Sequence, residues 1–156
     1  MTFHKNDKKI INAWCIYDWS NSVYSLVITS AIFPIYFQNI TSVKDSNGLV
    51  IKDTVSFFGF EIINSVLYSY SLSFSFLLIA LISPVLSSIA DYSGSKKMFM
   101  RIFCYLGAFS CSALFFFTGD TLELSMILFI LASIGFSGSI VFYNAYLPEI
   151  ATEDRF

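Results

Sequence analysis

Ser87-Ser88-Ile89-Ala90-Asp91-Tyr92-Ser93-Gly94-Ser95-Lys96-Lys97 separates two apolar runs, Val66 to Ile89 before it and Ile102 to Gly119 after it, neither of which holds an Asp, Glu, Lys or Arg. Within the stretch an acid, a glycine and two lysines crowd between Asp91 and Lys97. Such a pattern predicts a tight, charged elbow joining two membrane-crossing helices. Glycine supplies the turn, and the lysines hold the elbow at the membrane surface.

Composition points the same way. Apolar residues make up 56% of the chain and charged ones 13%, against about 25% charged in a typical soluble domain. Mean hydropathy is +0.69. Eighteen Phe and nine Tyr in 156 residues are hard to hide in one soluble core, whereas long apolar spans account for them directly. The predicted class is an all-α integral membrane protein with four transmembrane helices.

Working outward, the expected order begins with a cytoplasmic tail over 1–9 and a first helix over 10–38. The apolar run from Ile10 to Phe37 is too long for a signal peptide, and no small-residue cleavage site follows it. Pro34 is expected to bend its far end, because proline removes a backbone hydrogen bond. An external loop over 39–64 holds the turn signal Asp45-Ser46-Asn47-Gly48, followed by Leu49-Val50-Ile51, whose strand character the pattern leaves undecided. A second helix spans 65–90, the elbow loop 91–97 and a third helix 98–118. After a short external loop over 119–121, a fourth helix runs over 122–147, and 148–156 begins another cytoplasmic loop. Asp120 with Glu123 reads as a helix-start capping pair, and Pro148 as the end of the fourth helix.

Orientation follows from the basic residues. Lys5, Lys8, Lys9, Lys96, Lys97, Arg101 and Arg155 fall on one side of this topology, and only Lys44 and Lys52 on the other. That bias places the N-terminus and the elbow inside, in a multi-pass protein of the cytoplasmic membrane. The ending at Glu153-Asp154-Arg155-Phe156 is abrupt and suggests a truncated chain.

Asp18 is the costliest polar residue. It lies about 12 Å into the first apolar run at 1.5 Å per residue, where a carboxylate costs roughly 2.5–3.5 kcal/mol on insertion scales. Asn21, Ser22, Ser25 and Thr29 follow it on one helical face. This stripe suits a substrate or proton path. Two alternatives stay open: Asp18 reaching the interface beside an aromatic belt of Trp14, Tyr17 and Trp19, or hydrogen bonding to another helix. Asn144 near the end of the fourth helix is a second candidate for the path, or for a helix-end hydrogen bond. Ser65, Ser69 and Ser73, and likewise Ser133, Gly135, Ser137 and Ser139, present small residues at the spacing of close-packing faces.

Other chemistry finds little support. His4 is the only histidine, and Cys15, Cys104 and Cys111 fall inside the spans as small packing residues. Neither a zinc site nor a Ser-His or Cys-His pair is expected, so the chain does not read as an enzyme. No metal, cofactor or nucleic acid is expected; the partners are the lipid bilayer and a small-molecule substrate.

The elbow resembles the signature loop between the second and third helices of the major facilitator superfamily, Gly-x-x-x-Asp-Arg-x-Gly-Arg-Arg. Asp91, Gly94 and Lys96 stand at matching positions with Lys97 beside them, while Ser87, Tyr92 and Ser95 depart from the pattern. Two further stretches are similar to one branch of that superfamily, the autophagy-related vacuolar amino-acid effluxers. These are Tyr17-Asp18-Trp19-Ser20-Asn21-Ser22 with Ala31-Ile32-Phe33-Pro34-Ile35-Tyr36-Phe37, and Tyr143-Asn144-Ala145-Tyr146-Leu147-Pro148-Glu149-Ile150.

The resemblance implies the N-terminal portion of a major-facilitator-type fold, four helices of a larger secondary transporter, with the remaining helices of that transporter as partners. In a transporter of that kind the expected path passes Asp18, Asn21 and Asn144, with proton coupling at Asp18 if burial withholds water from it; the resemblance itself implies amino acids as a substrate class. It also implies that Asp91 pairs near the cytoplasmic helix ends to latch one conformation. Two other architectures fit four helices: a small dimeric exporter with one acid in its first helix, and a membrane subunit that transports nothing.

Overall fold

The computed structural model describes residues 5–152. His4, Arg155 and the rest of the final segment from Glu153 lie outside the described residues. Among the described residues, four helices are long and apolar enough to cross a membrane. The first, α1, runs over Lys8–Thr41; the others are α2 (Asn64–Ser93), α3 (Lys96–Ala113) and α4 (Leu122–Ile150). Leu26, Ile32, Ile35, Leu77, Leu81, Val85 and Phe109 are exposed around their surfaces. Apolar side chains facing outward along whole helices are what a lipid solvent requires.

Asp7 starts α1 by accepting a hydrogen bond from Lys9 N at 2.8 Å. The helix is not uniform. Tyr24–Ala31 is π-helical, and Ile32 N donates five residues back to Val27 O. Pro34 stands just beyond, inside the following α-helical turn. Its missing N–H and its ring, which crowds the carbonyl four residues back, account for a wider turn immediately upstream.

The connection between α1 and α2 is more ordered than a loop. Strands β1 (Val43–Lys44) and β2 (Val50–Lys52) pair antiparallel around the Asp45–Gly48 turn, where Asp45 Oδ1 accepts from Asn47 N and Leu49 N, each at 2.9 Å. Strands β3 (Thr54–Phe57) and β4 (Phe60–Ile63) form a second hairpin, with Phe57 opposite Phe60. Its two turn residues, Phe58 and Gly59, have φ of +48° and +85°. The left-handed region costs a non-glycine residue about 1–2 kcal/mol, so Phe58 sits there against its own preference.

Several expectations shift in detail. α2 continues through Asp91 to Ser93 and is capped by Gly94 at φ +62°, so the elbow narrows to Gly94 and Ser95. α3 ends at Ala113 and tightens into a 3-10 turn over Leu114–Phe116. α4 runs through Pro148 to Ile150. The capping box before it is made by Thr118 and Thr121 rather than Asp120 and Glu123. A hydroxyl on a short stem reaches these backbone groups directly.

α4 is the central helix, packed on α2 and α3. Facing α3, the two backbones nearly touch: a Cβ on Gly135 would fall 2.4 Å from Gly107 N. Small residues permit this approach, and van der Waals contact is the main glue between helices in lipid. Against α2, Ser75 Oγ donates to Ser71 O and reaches Ile130 O at 3.4 Å. The buried serines of α2 are Ser71 and Ser75, whereas Ser65, Ser69 and Ser73 face outward. The close-packing face therefore lies on the other serine phase, because α4 approaches α2 from that side.

Phe33, Phe37, Leu67, Leu114, Phe117, Met126 and Phe129 form a buried cluster at the end of the bundle away from the elbow. Val55, Phe57 and Ile62 of the β3–β4 hairpin pack onto it. Beneath the hairpins, buried Asn64 ties helix ends together, donating to Thr41 Oγ1 at 3.0 Å and Ser42 Oγ at 2.9 Å.

Candidate functional site: the elbow and the first-helix face

Gly94 in the left-handed region turns the chain within two residues, which brings Lys96 back beneath the end of α2. Lys96 Nζ lies 2.9 Å from Asp91 Oδ1 and 3.0 Å from Glu149 Oε1. It also donates to Ala145 O at 3.3 Å. One ammonium thus joins the end of α2, the start of α3 and the last turns of α4. The position is sound electrostatically, because the C-terminal ends of α2 and α4 attract positive charge. Asp91 is held across the elbow by the first residue of α3, and Glu149, part of the fourth-helix motif, completes the triad. Lys97 projects into a neighbouring cavity instead.

The N-terminal tail meets the same end of the bundle. Asn6 N donates to Ile150 O at 2.8 Å, and Thr152 N donates to Asn6 Oδ1 at 3.2 Å. Tail, elbow and the end of α4 therefore lie together.

α1 meets α4 through rings. Trp14 stacks on Tyr143 with centroids 4.3 Å apart and planes 9° from parallel, and its Nε1 donates to Tyr143 O at 3.3 Å. Tyr17 stacks on the same ring at 5.4 Å. Higher up, Tyr24 stacks on Phe136 at 4.5 Å and its hydroxyl shares a 2.8 Å hydrogen bond with Ser133 Oγ. Phe33 stacks on Phe129 at 5.0 Å. Rings act as spacers where glycines would permit contact, so α1 stands off α3 and α4 and leaves two cavities. One, of about 250 Å³, is lined by Tyr17, Asn21, Tyr24, Cys104, Cys111 and Ser139 among others. The other, of about 280 Å³, lies nearer the elbow between Lys9, Trp14, Lys97, Met100, Tyr143 and Tyr146.

The predicted stripe is placed on one face of α1 but not in one cavity. Of its members, Asn21 lines the 250 Å³ cavity. Ser22 Oγ donates to Asp18 O at 2.9 Å and Ser25 Oγ to Ser22 O at 3.0 Å, so both hydroxyl protons are spent on their own helix. Thr29 O accepts from the Tyr68 hydroxyl of α2 at 2.8 Å. Asp18 and Asn144 are exposed, and no hydrogen bond or ion pair reaches either side chain among the described residues. Tyr143, next to Asn144, is buried with its hydroxyl unpartnered, and Asp18 is among its electrostatic neighbours. Of the aromatic belt, Trp14 and Tyr17 belong to the α1–α4 contact and only Trp19 projects outward. Cys15 is exposed rather than packed. Among the described residues, no cluster of His, Cys, Asp or Glu could hold a metal.

A family model described as "Vacuole effluxer Atg22 like" matches residues 6–155. The MFS-type transporter YxiO of Bacillus subtilis is 33% identical over 144 residues, covering 92% of this chain and 31% of its own length. Autophagy-related protein 22 of Pyricularia oryzae is 26% identical over 163 residues, covering 90% of this chain and 24% of its own. The protein of that name from Gibberella zeae is 24% identical over 153 residues, covering 86% and 23%. This chain spans less than a third of the length of these relatives. No solved structure matches it. With four spanning helices, the elbow triad and a family match over nearly its whole length, the chain belongs to the Atg22-like vacuole effluxer family within the major facilitator superfamily.

Proposed function

We propose that these four helices form the N-terminal part of a secondary active transporter that moves a small solute by alternating access. The remaining helices of the same transporter would complete the path, with the N-terminus and elbow on the cytoplasmic side. One observation carries the reading: Asp18 lies within a membrane-spanning helix, exposed and without a hydrogen-bond or ion-pair partner among the described residues. A carboxylate at that depth is tolerated where it faces water or another protein surface. With Ser22, Ser25 and Asn144 it would line one wall of the path, and Asn21 would face the path from the cavity beside α3.

The π-helical turn over Tyr24–Ala31 supports the same helix as the working one, since such turns gather where a helix must bend or present side chains. The Asp91–Lys96–Glu149 triad supports a latch, being a charge cluster at helix ends that rocking helices would open and close. Amino acids are the proposed solute class, after the resemblance of the first and fourth helices to vacuolar amino-acid effluxers. Asp18 would carry the coupling proton.

Replacing Asp18 by Asn in whole-protein transport assays tests the reading. A panel of amino acids with and without an imposed proton gradient should show transport lost or its gradient dependence abolished. Undiminished transport with unchanged pH dependence removes Asp18 from the mechanism.

A further inference from the structure

The β3–β4 hairpin carries three phenylalanines around a two-residue turn. Phe57 and Phe60 pair directly, leaving Phe58 and Gly59 as the turn, both with positive φ. Turns of this hand take Asn, Asp or Gly first and Gly second, because a β-carbon crowds the backbone there. Gly59 fits; Phe58 does not. Its ring packs edge-on against Phe57 at 4.7 Å yet remains 64% exposed. A side chain held against its own backbone preference at an exposed tip calls for something that the ring itself touches.

The faces of the hairpin indicate what that is. Paired residues share a face, so Val55, Phe57, Ile62 and Phe60 lie on one side. Val55, Phe57 and Ile62 pack onto the end of the helix bundle. Phe60 continues that apolar face but is 72% exposed, so it overhangs the rim. Ser56 and Glu61 point the other way, and Glu61 pairs with Lys52 at 3.4 Å. No spacer follows β4: Ile63 is its last residue and Asn64 the first of α2. At about 3.4 Å per residue, the five steps from Gly59 to Asn64 keep the tip within roughly 17 Å of the point where a membrane-crossing helix begins.

We propose that Phe58 and Phe60 form an interfacial anchor, seated at the headgroup and acyl-chain boundary of the leaflet opposite the elbow. A polar outer face, an apolar face continuous with the spanning bundle and two overhanging rings match a segment lying in that boundary. The anchor fixes the level of the α1–α2 connection and, through β4, that of the first turn of α2.

The test uses the protein in liposomes, with Cys15, Cys104 and Cys111 replaced by Ser and an environment-sensitive NBD label on Phe58→Cys, Phe60→Cys or Ser56→Cys. Labels at 58 and 60 should emit blue-shifted light, be quenched by phospholipids carrying acyl-chain nitroxides and resist aqueous iodide. The label at 56 should behave oppositely. Iodide quenching at 58 and 60 overturns the proposal by placing the rings in water, and protection from both quenchers overturns it by burying them in protein. A second variant avoids the cysteine replacements. Phe58→Asn supplies the residue the turn prefers, so the detergent melting temperature should hold or rise, while hydrogen exchange over Thr54–Ile63 in liposomes should quicken severalfold. Unchanged exchange there overturns the anchor.

Discussion

The ammonium of Lys96, the first residue of α3, stands 3.0 Å from the carboxylate of Glu149 in the last turn of α4. The Asp91 carboxylate completes the bracket. Both acids are substantially exposed, so each pair contributes about 1 kcal/mol or less to stability. Glu149→Gln should therefore leave the melting temperature in detergent almost unmoved. If the triad is a latch, the same change should alter transport severalfold, and exchanging the two charges (Lys96→Glu with Glu149→Lys) should recover part of it. A large loss of stability in Glu149→Gln with transport unchanged would make the triad structural.

Gly135 offers a sharper stability test. Its added Cβ would meet Gly107 N at 2.4 Å and Phe103 O at 2.8 Å, all backbone that cannot step aside. The same methyl on Gly107 finds nothing nearer than 3.5 Å. Gly135→Ala should cost about 1–3 kcal/mol through overpacking and lower the yield of folded protein, while Gly107→Ala is tolerated. Gly138→Ala falls between, since its methyl meets the Phe103 ring, a side chain able to turn. Thermal unfolding of the three variants in one detergent checks the order.

Much of the fold was legible because membrane spans announce themselves by length and charge, and the elbow by Asp91, Gly94 and Lys96. What stayed hidden depends on which face meets which neighbour. Ser65 and Ser71 look alike in sequence, and only the approach of α4 buries Ser71. The stripe from Asp18 to Thr29 was readable as one face, yet its serines turn their protons back onto the helix, which periodicity does not report. Trp14, Tyr17 and Tyr24 were legible as aromatics but not as spacers, since their partners lie more than a hundred residues away. Asp45-Ser46-Asn47-Gly48 marked the turn of the first hairpin, but the second escaped notice because Phe57-Phe58-Gly59-Phe60 lacks the polar turn pair that usually marks such a reversal.

Asn64 is a second buried polar residue whose role came only from the fold. Its side-chain amide donates to Thr41 and Ser42 at the end of α1, while its Oδ1 accepts from Ser65 N at 2.6 Å. Asn64→Leu keeps the volume but leaves those groups without their partner, at a cost of about 1–3 kcal/mol. The lowered melting temperature should come with faster hydrogen exchange confined to residues 38–66. Exchange that quickens evenly over all four helices would contradict a local tie.

Tyr24 separates the two ways in which α1 is held to α4. Tyr24→Phe removes only the hydroxyl bonded to Ser133 Oγ at 2.8 Å, and such bonds between membrane helices average about 0.6 kcal/mol. Ser133 Oγ keeps its bond to Phe129 O at 2.9 Å, so it is not orphaned and the cost should stay small. Tyr24→Ala removes the spacer itself, together with its stack on Phe136. Aromatic-to-alanine changes in packed interiors cost about 3–5 kcal/mol, and α1 should then settle toward α4 and close the 250 Å³ cavity beside Asn21. Thiol labelling of Cys104 and Cys111, which line that cavity, reads the difference: unchanged in Tyr24→Phe and slowed in Tyr24→Ala. Faster labelling in Tyr24→Ala would mean that the rings hold α1 to the bundle rather than off it.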